Sequence, residues 1–194
     1  SLLVTERSGY MNLVSKDGQS VTKISGFPKV DPSGQGGLLG VILDPNFTEN
    51  QTIYWTFSEP FEKGNLTTIA KGQLSLDKNK VEKVKIILRA TPSYEGRLHY
   101  GGRMVFDKDG HLFVGTGERS DKATRPMAQD LTTYLGKIIK ITKEGKPAPN
   151  NPFLNQKDKK LRHVSEFFVL IYTFATVLTS ANALCNYNIC TTIG

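Results

Sequence analysis

Cysteine is nearly absent from this 194-residue chain: there are two, Cys185 and Cys190, and both lie in the last ten residues. Residues 1–162 therefore need neither a disulfide framework nor a thiolate metal site. Histidine is scarce as well, with three in all, and neither His111 nor His163 has a partner at metal-ligand spacing. The chain carries no zinc signature, nucleotide-binding glycine fingerprint, nucleophile elbow or EF-hand loop. Long helical periodicity is missing, which excludes a helical bundle. No stretch reads as a signal peptide, and Ser1 reads as a processed or truncated beginning. Charge is lacking in one region only: residues 163–194 hold a single charged side chain, Glu166.

The remaining sequence is that of a folded domain, with 38% hydrophobic and 22% charged residues. The formal net charge of +7 comes from lysines scattered among turns and strand edges. Such a surface discourages edge-to-edge pairing, and it does not form the one-sided basic stripe of a nucleic-acid binder.

Short runs rich in Val, Ile, Tyr, Phe and Thr alternate with Gly, Asp, Asn and Pro through residues 1–150. This predicts an antiparallel meander with strands at Leu2–Thr5, Met11–Ser15, Val21–Ile24, Leu38–Leu43, Ile53–Ser58, Thr67–Leu74, Lys83–Arg89, Arg103–Phe106, Leu112–Thr116 and Lys137–Thr142. Asp17-Gly18, Asp44-Pro45-Asn46, Asp109-Gly110 and Glu144-Gly145 supply the turns. A repeat is visible at an offset of 65, where Gly36-Gly37 heads a strand that ends at Asp44 and Gly101-Gly102 heads one that ends at Asp107. About four strands per unit suits the blade of a β-propeller; a two-sheet sandwich is the alternative.

After Arg162 the character changes. Phe167 to Cys185 is 19 residues without a charge, near the ~20 that cross a bilayer, though Thr, Ser and Asn dilute its apolarity. A membrane span, a buried segment and a non-native tail all remain open for it.

Two loops carry the candidate chemistry. Gln35 precedes the double glycine of one unit, and His99 precedes that of the next within His99-Tyr100-Gly101-Gly102-Arg103. A histidine titrates near neutrality and serves as a general base. In a propeller the loops that enter the innermost strands gather around the central channel, so Gln35 and His99 would project toward one axis. Gly115-Thr116-Gly117-Glu118-Arg119 and Ala128-Gln129-Asp130 close the second unit and can add polar groups to the same channel. His111 and His163 are less promising.

The ordered set Gln-Gly-Gly-Leu-Leu-Gly-Val at 35–41, Asp-Pro-Asn-Phe at 44–47, His-Tyr-Gly-Gly-Arg at 99–103, Gly-Thr-Gly-Glu at 115–118, Ala-Gln-Asp-Leu at 128–131, Leu-Gly-Lys-Ile at 135–138 and Asn-Asn-Pro-Phe at 150–153 resembles the soluble quinoprotein glucose dehydrogenase family. It is most similar to the aldose sugar dehydrogenase branch, the glucose/sorbosone dehydrogenases. The resemblance covers about residues 1–162. It implies a six-bladed propeller that holds pyrroloquinoline quinone (PQQ) and calcium in its channel, oxidises the anomeric hydroxyl of aldoses to a lactone, and works in the periplasm or outside the cell. By motif, His99 matches the general base and Gln35 a cofactor-binding amide; no metal ligand carries over. In the glucose dehydrogenase branch an acid precedes this histidine, whereas Leu98 does so here.

The expectation is thus an all-β, partial six-bladed β-propeller over residues 1–162, about three blades of four-stranded antiparallel sheet, with an unrelated hydrophobic tail at 163–194. The family's later cofactor cations and calcium ligands have no counterpart, so little turnover is expected of this chain. Open sheet edges would favour self-association. The alternative is a non-catalytic interaction protein whose partial propeller is completed by another chain or anchored through residues 167–185.

Overall fold

A computed structural model describes residues 1–155, 163 and 190–192. Its described residues form three antiparallel sheets. The first contains β1 (Leu2–Glu6), β2 (Tyr10–Val14) and β3 (Val21–Ile24); the second β4 (Leu38–Leu43), β5 (Thr52–Pro60), β6 (Asn65–Ser75) and β7 (Lys80–Arg89); the third β8 (Gly101–Phe106), β9 (Leu112–Thr116) and β10 (Ile138–Ile141). All ten expected strands are present. Several extend by one to three residues into polar flanks, as β7 does at Lys80, because ladder hydrogen bonding continues where the apolar pattern has ended.

Burial follows the position of each sheet. The middle sheet is covered on both faces, so β5 is buried from Ile53 to Ser58. Its neighbours Tyr54 and Trp55 point to opposite sides. Trp55 packs with Leu3, Met11 and Ile24 of the first sheet, while Tyr54 and Ile69 pack with Leu112, Val114, Ile139 and Ile141 of the third. The outer sheets alternate instead: Leu3 and Thr5 are buried in β1 and Ile139 and Ile141 in β10, with less buried residues between them. Sheets stacked in series with β4 touching both β1 and β8 make an arc of propeller blades, which rules out the two-sheet sandwich.

Two features differ from expectation. Cys190–Thr192, within the stretch read as an unrelated tail, forms a short strand, β11, antiparallel to β1. It also contacts β4 and gives the first sheet its fourth strand. Residues 167–185 lie outside the described residues. The third sheet has three strands among the described residues. Beyond β10 the Glu144-Gly145 turn returns the chain only as far as a single bridge, Ile141 to Pro147, where Pro147 and Pro149 lack the N–H that a ladder requires.

Candidate functional site

Both double-glycine units enter inner strands through a register shift, between Leu38 and Val41 in β4 and between Gly101 and Met104 in β8. Gly37 and Gly102 adopt φ of +119° and +106°, which L side chains rarely take. The Thr56 hydroxyl accepts from Gly40 N–H (2.9 Å) and donates to Gly102 O (2.8 Å), tying the two inner strands together. The loops ahead of these strands therefore lie side by side.

Gln35 and His99 meet there: the His99 N–H donates to Gln35 Oε1 at 2.9 Å, and Gln35 N–H donates to Arg97 O at 2.8 Å. Arg7 fixes the Gln35 loop from below, donating to Pro32 O (2.7 Å), Gly36 O (3.4 Å) and Gly34 O. His99 itself holds φ +45°, a conformation uncommon for a non-glycine residue.

Glu118 completes the group. His99 Nδ1 lies 2.7 Å from Glu118 Oε1, with both side chains about four-fifths covered. A carboxylate can only accept, so this contact assigns the proton to Nδ1 and the lone pair to Nε2. The same Oε1 accepts Ser120 N–H at 3.2 Å. On the other side Glu118 abuts Gly136, where a Cβ would stand 3.3 Å from Glu118 Cβ and 2.7 Å from Ala128 Cβ. Lys137, buried beside it, donates to the carbonyls of Met127 (2.8 Å), Ala128 (3.1 Å) and Leu135 (2.7 Å), and burial pulls its pKa down to about 8.

Arg119 is 2% exposed and lies over the Tyr100 ring at 4.0 Å. It donates to Leu98 O (3.0 Å), Asn65 O (3.2 Å), Asn65 Oδ1 (2.6 Å) and Gly96 O (2.6 Å), so it clamps the segment that leads into His99. Burial lowers its pKa, but a guanidinium stays charged. Asn65 in turn donates to Asp31 at 3.0 Å. Burial works to raise the Asp31 carboxyl, yet the bonds from Ser33 and Asn65 outweigh it and hold its pKa below the ordinary value.

Glu118 and Arg119 were visible in sequence only as members of a loop motif with general polar character, and Asn65 was not singled out at all. Asp130 does not reach His99, because its carboxylate caps its own turn at Thr132. His163 faces Tyr134, with Nδ1 3.1 Å from the phenol. His111 requires a correction. Sequence spacing assigned it no metal-ligand partner, but its ligating atom and those of Asp107 and Asp109 lie within 4.8 Å of one another. The turn itself brings them together, since Asp107 Oδ1 accepts the N–H of Asp109 (3.0 Å) and of His111 (2.8 Å). Asp107 Oδ2 meets His111 Nδ1 at 3.2 Å and Lys140 at 3.5 Å.

Residues 1–165 match the glucose/sorbosone dehydrogenase family. The chain belongs to that family. It is 36% identical over 156 residues to the aldose sugar dehydrogenase YliI of Escherichia coli K12, a match covering 80% of this chain and 41% of the relative. The solved soluble aldose sugar dehydrogenase of Escherichia coli in its apo form superposes with a TM-score of 0.76 at 34% identity, covering 83% of this chain and 46% of that one. The PQQ-bound aldose sugar dehydrogenase of Streptomyces coelicolor gives 0.68 at 32% identity, covering 78% and 44%. The chain thus spans somewhat under half the length of these glucose/sorbosone dehydrogenases.

Proposed function

We propose that this chain carries the proton-abstracting part of a PQQ-dependent aldose sugar dehydrogenase, with His99 as general base and Gln35 as a cofactor-binding amide. The observation that carries the reading is the His99 Nδ1 contact with Glu118 Oε1 at 2.7 Å, at the entrance of an inner strand of a family member. Bound PQQ would supply the acceptor for the hydride that leaves the anomeric carbon. His99 Nε2 takes the hydroxyl proton as that bond breaks, and the Glu118 carboxylate stabilises the imidazolium through Nδ1–H. Gln35 fixes the His99 backbone through Oε1, and its amide nitrogen has two donors that suit quinone or carboxylate oxygens.

The fit to the cofactors is partial. At the His99 end the described residues offer a base, an acid and an amide. Two of the cations near that end, Arg7 and Arg119, are bonded to backbone carbonyls. A calcium ligand set is not assembled at that end among the described residues, and the Asp107, Asp109 and His111 group lies at the other end of β8. A periplasmic or secreted location belongs to the same proposal.

The test is titration of the full chain with PQQ and calcium, followed by addition of an aldose while quinone absorbance is monitored. Reduction is expected to be weak in the isolated chain. His99→Ala should lower it by about 10²–10⁴-fold while cofactor binding persists. Reduction unaffected by that substitution would overturn the assignment of the base. The second reading, a non-catalytic module completed by another chain, is favoured by the exposed Val21 of the first sheet and Val105 of the third, and absence of PQQ binding would support it.

A further inference from the structure

We propose that Arg119 and Asn65 are positioning residues for proton abstraction at His99: together they hold the His99 ring against the Glu118 carboxylate. The inference rests on the reading of His99 as the base and extends it to two buried residues, 2% and 3% exposed.

Arg119 belongs to both sides of the contact. Its backbone follows Glu118 directly, and its own N–H donates to His99 O at 3.3 Å. Its guanidinium reaches back to Gly96 O and Leu98 O, in the segment that carries His99. One residue thus ties the loop of the carboxylate to the loop of the ring. Asn65, at the start of β6, gives the pair a fixed point on the second sheet: its carbonyl and its Oδ1 accept from Arg119 at 3.2 and 2.6 Å. Through Nδ2 the same amide donates to Asp31 Oδ2 at 3.0 Å. Asp31 heads the turn that leads to Gln35, and its Oδ1 accepts Ser33 N–H at 2.9 Å. The three loops that supply Gln35, His99 and Glu118 therefore converge on one asparagine.

Stability alone does not call for this arrangement. The guanidinium is withdrawn from water, and the four oxygens that accept from it belong to neutral amides. Filling the same space with apolar groups would avoid that desolvation cost. What the guanidinium adds is direction, because a planar fork that meets four oxygens at once admits one placement of the loops. The Asn65 amide is directional too: its oxygen faces the cation and its nitrogen the anion, so a flipped amide would set donor against donor and acceptor against acceptor. Placement matters at this site, since His99 holds φ +45° and Glu118 Oε1 at 2.7 Å keeps the proton on Nδ1.

The test reads the ring itself, by NMR of the full chain carrying isotope-labelled histidine, at a pH where the rings are neutral. The chain has three histidines; His99→Gln assigns the signal, and His111 and His163 serve as references. In the unaltered chain His99 is expected as the Nδ1–H tautomer. Asn65→Asp keeps the oxygen that faces Arg119 but turns a second carboxylate toward Asp31. It should lower the ratio of Nδ1–H to Nε2–H at His99 by at least about tenfold while the references stay unchanged. Adding Asp31→Asn returns a donor to the pair, with anion and amide exchanged, and should restore the ratio, which relief of a general loss of stability would not do. Arg119→Lys keeps the charge without the fork and should lower the ratio in the same way; it carries the test where urea unfolding shows Asn65→Asp to be unfolded. An unchanged ratio in a folded single variant would overturn the proposal. So would a double variant that folds but keeps the altered ratio, or an unaltered chain with His99 in the Nε2–H form. Quinone reduction insensitive to His99→Ala would remove the base while leaving these ratios as they are, so the two readings fail separately.

Discussion

His99 is held by three groups from two separate loops of the chain: the Gln35 amide binds its backbone, the Glu118 carboxylate its ring, and the neighbouring Arg119 guanidinium the carbonyls of the segment that precedes it. A positive φ at a residue with a Cβ costs on the order of 1–3 kcal/mol and persists only where its surroundings over-determine it. Arg119 supplies much of that constraint. Arg119→Met keeps length and apolar volume but strips three backbone carbonyls and Asn65 Oδ1 of their charged donor. It should destabilise the chain by about 2–3 kcal/mol, read as a lower midpoint in urea unfolding. Arg119→Lys should recover only part of this, since an ammonium cannot match the planar fork that reaches Asn65, Gly96 and Leu98 together.

At the scale of the strand, the unit that repeats is a glycine-headed inner strand braced by a hydroxyl from its neighbour. Ser58 Oγ accepts from Gly37 N–H at 2.6 Å in the second sheet, and Thr56 links Gly40 to Gly102 across the second and third. A register shift leaves backbone groups without ladder partners, and these hydroxyls satisfy them. Thr56→Val preserves shape while leaving a buried N–H and a buried C=O unpaired, a loss of about 2–3 kcal/mol. Thr56→Ser should retain most of the stability, and equal losses in the two variants would refute the bridging role. Sequence alternation made the ten strands legible because the outer sheets bury one face and the turns carry Gly, Asn and Asp. It did not reveal β11, whose place depends on an edge of β1 about 190 residues away in the chain.

For the molecule as a whole, the second and third sheets are clamped at their outer rim by the Lys143-Glu144 turn. Lys143 binds buried Asp44 at 2.8 Å, and Tyr54 donates to the same carboxylate at 3.2 Å. Glu144 pairs with Lys71 and, at 2.8 Å, with Lys85. The bonds from Lys71 and Lys85 depress the Glu144 pKa to about 2 from an ordinary 4.5. Burial raises that of Asp44, but Lys143 and the neighbouring amides more than offset it and keep the carboxyl below its ordinary range. Both folded-state values lie below the unfolded ones, so this stability is complete above about pH 4.5 and is lost as pH falls toward 2. Since Glu144 is half exposed, screening limits its share, and the fall is expected to be about 1–2 kcal/mol for the pair. Asp44→Asn should flatten the decline in urea midpoint between pH 5 and 3, and an unchanged slope would count against the clamp.

Period-two alternation, the double glycines at 36–37 and 101–102 and the ordered family motifs determine, from sequence alone, that this chain is built of short antiparallel strands in repeating units and where two inner strands begin. Those are local properties, written into spacing and turn chemistry. The contacts that define the candidate site are not local. His99 meets Glu118 across 19 residues, Gln35 across 64, and Arg119 reaches Asn65 across 54. Only the tertiary structure selected these partners from the many polar residues of the loops. Stacking the sheets brings the heads of the inner strands together, and it is that stacking which supplies a carboxylate to the ring whose preceding residue is Leu98.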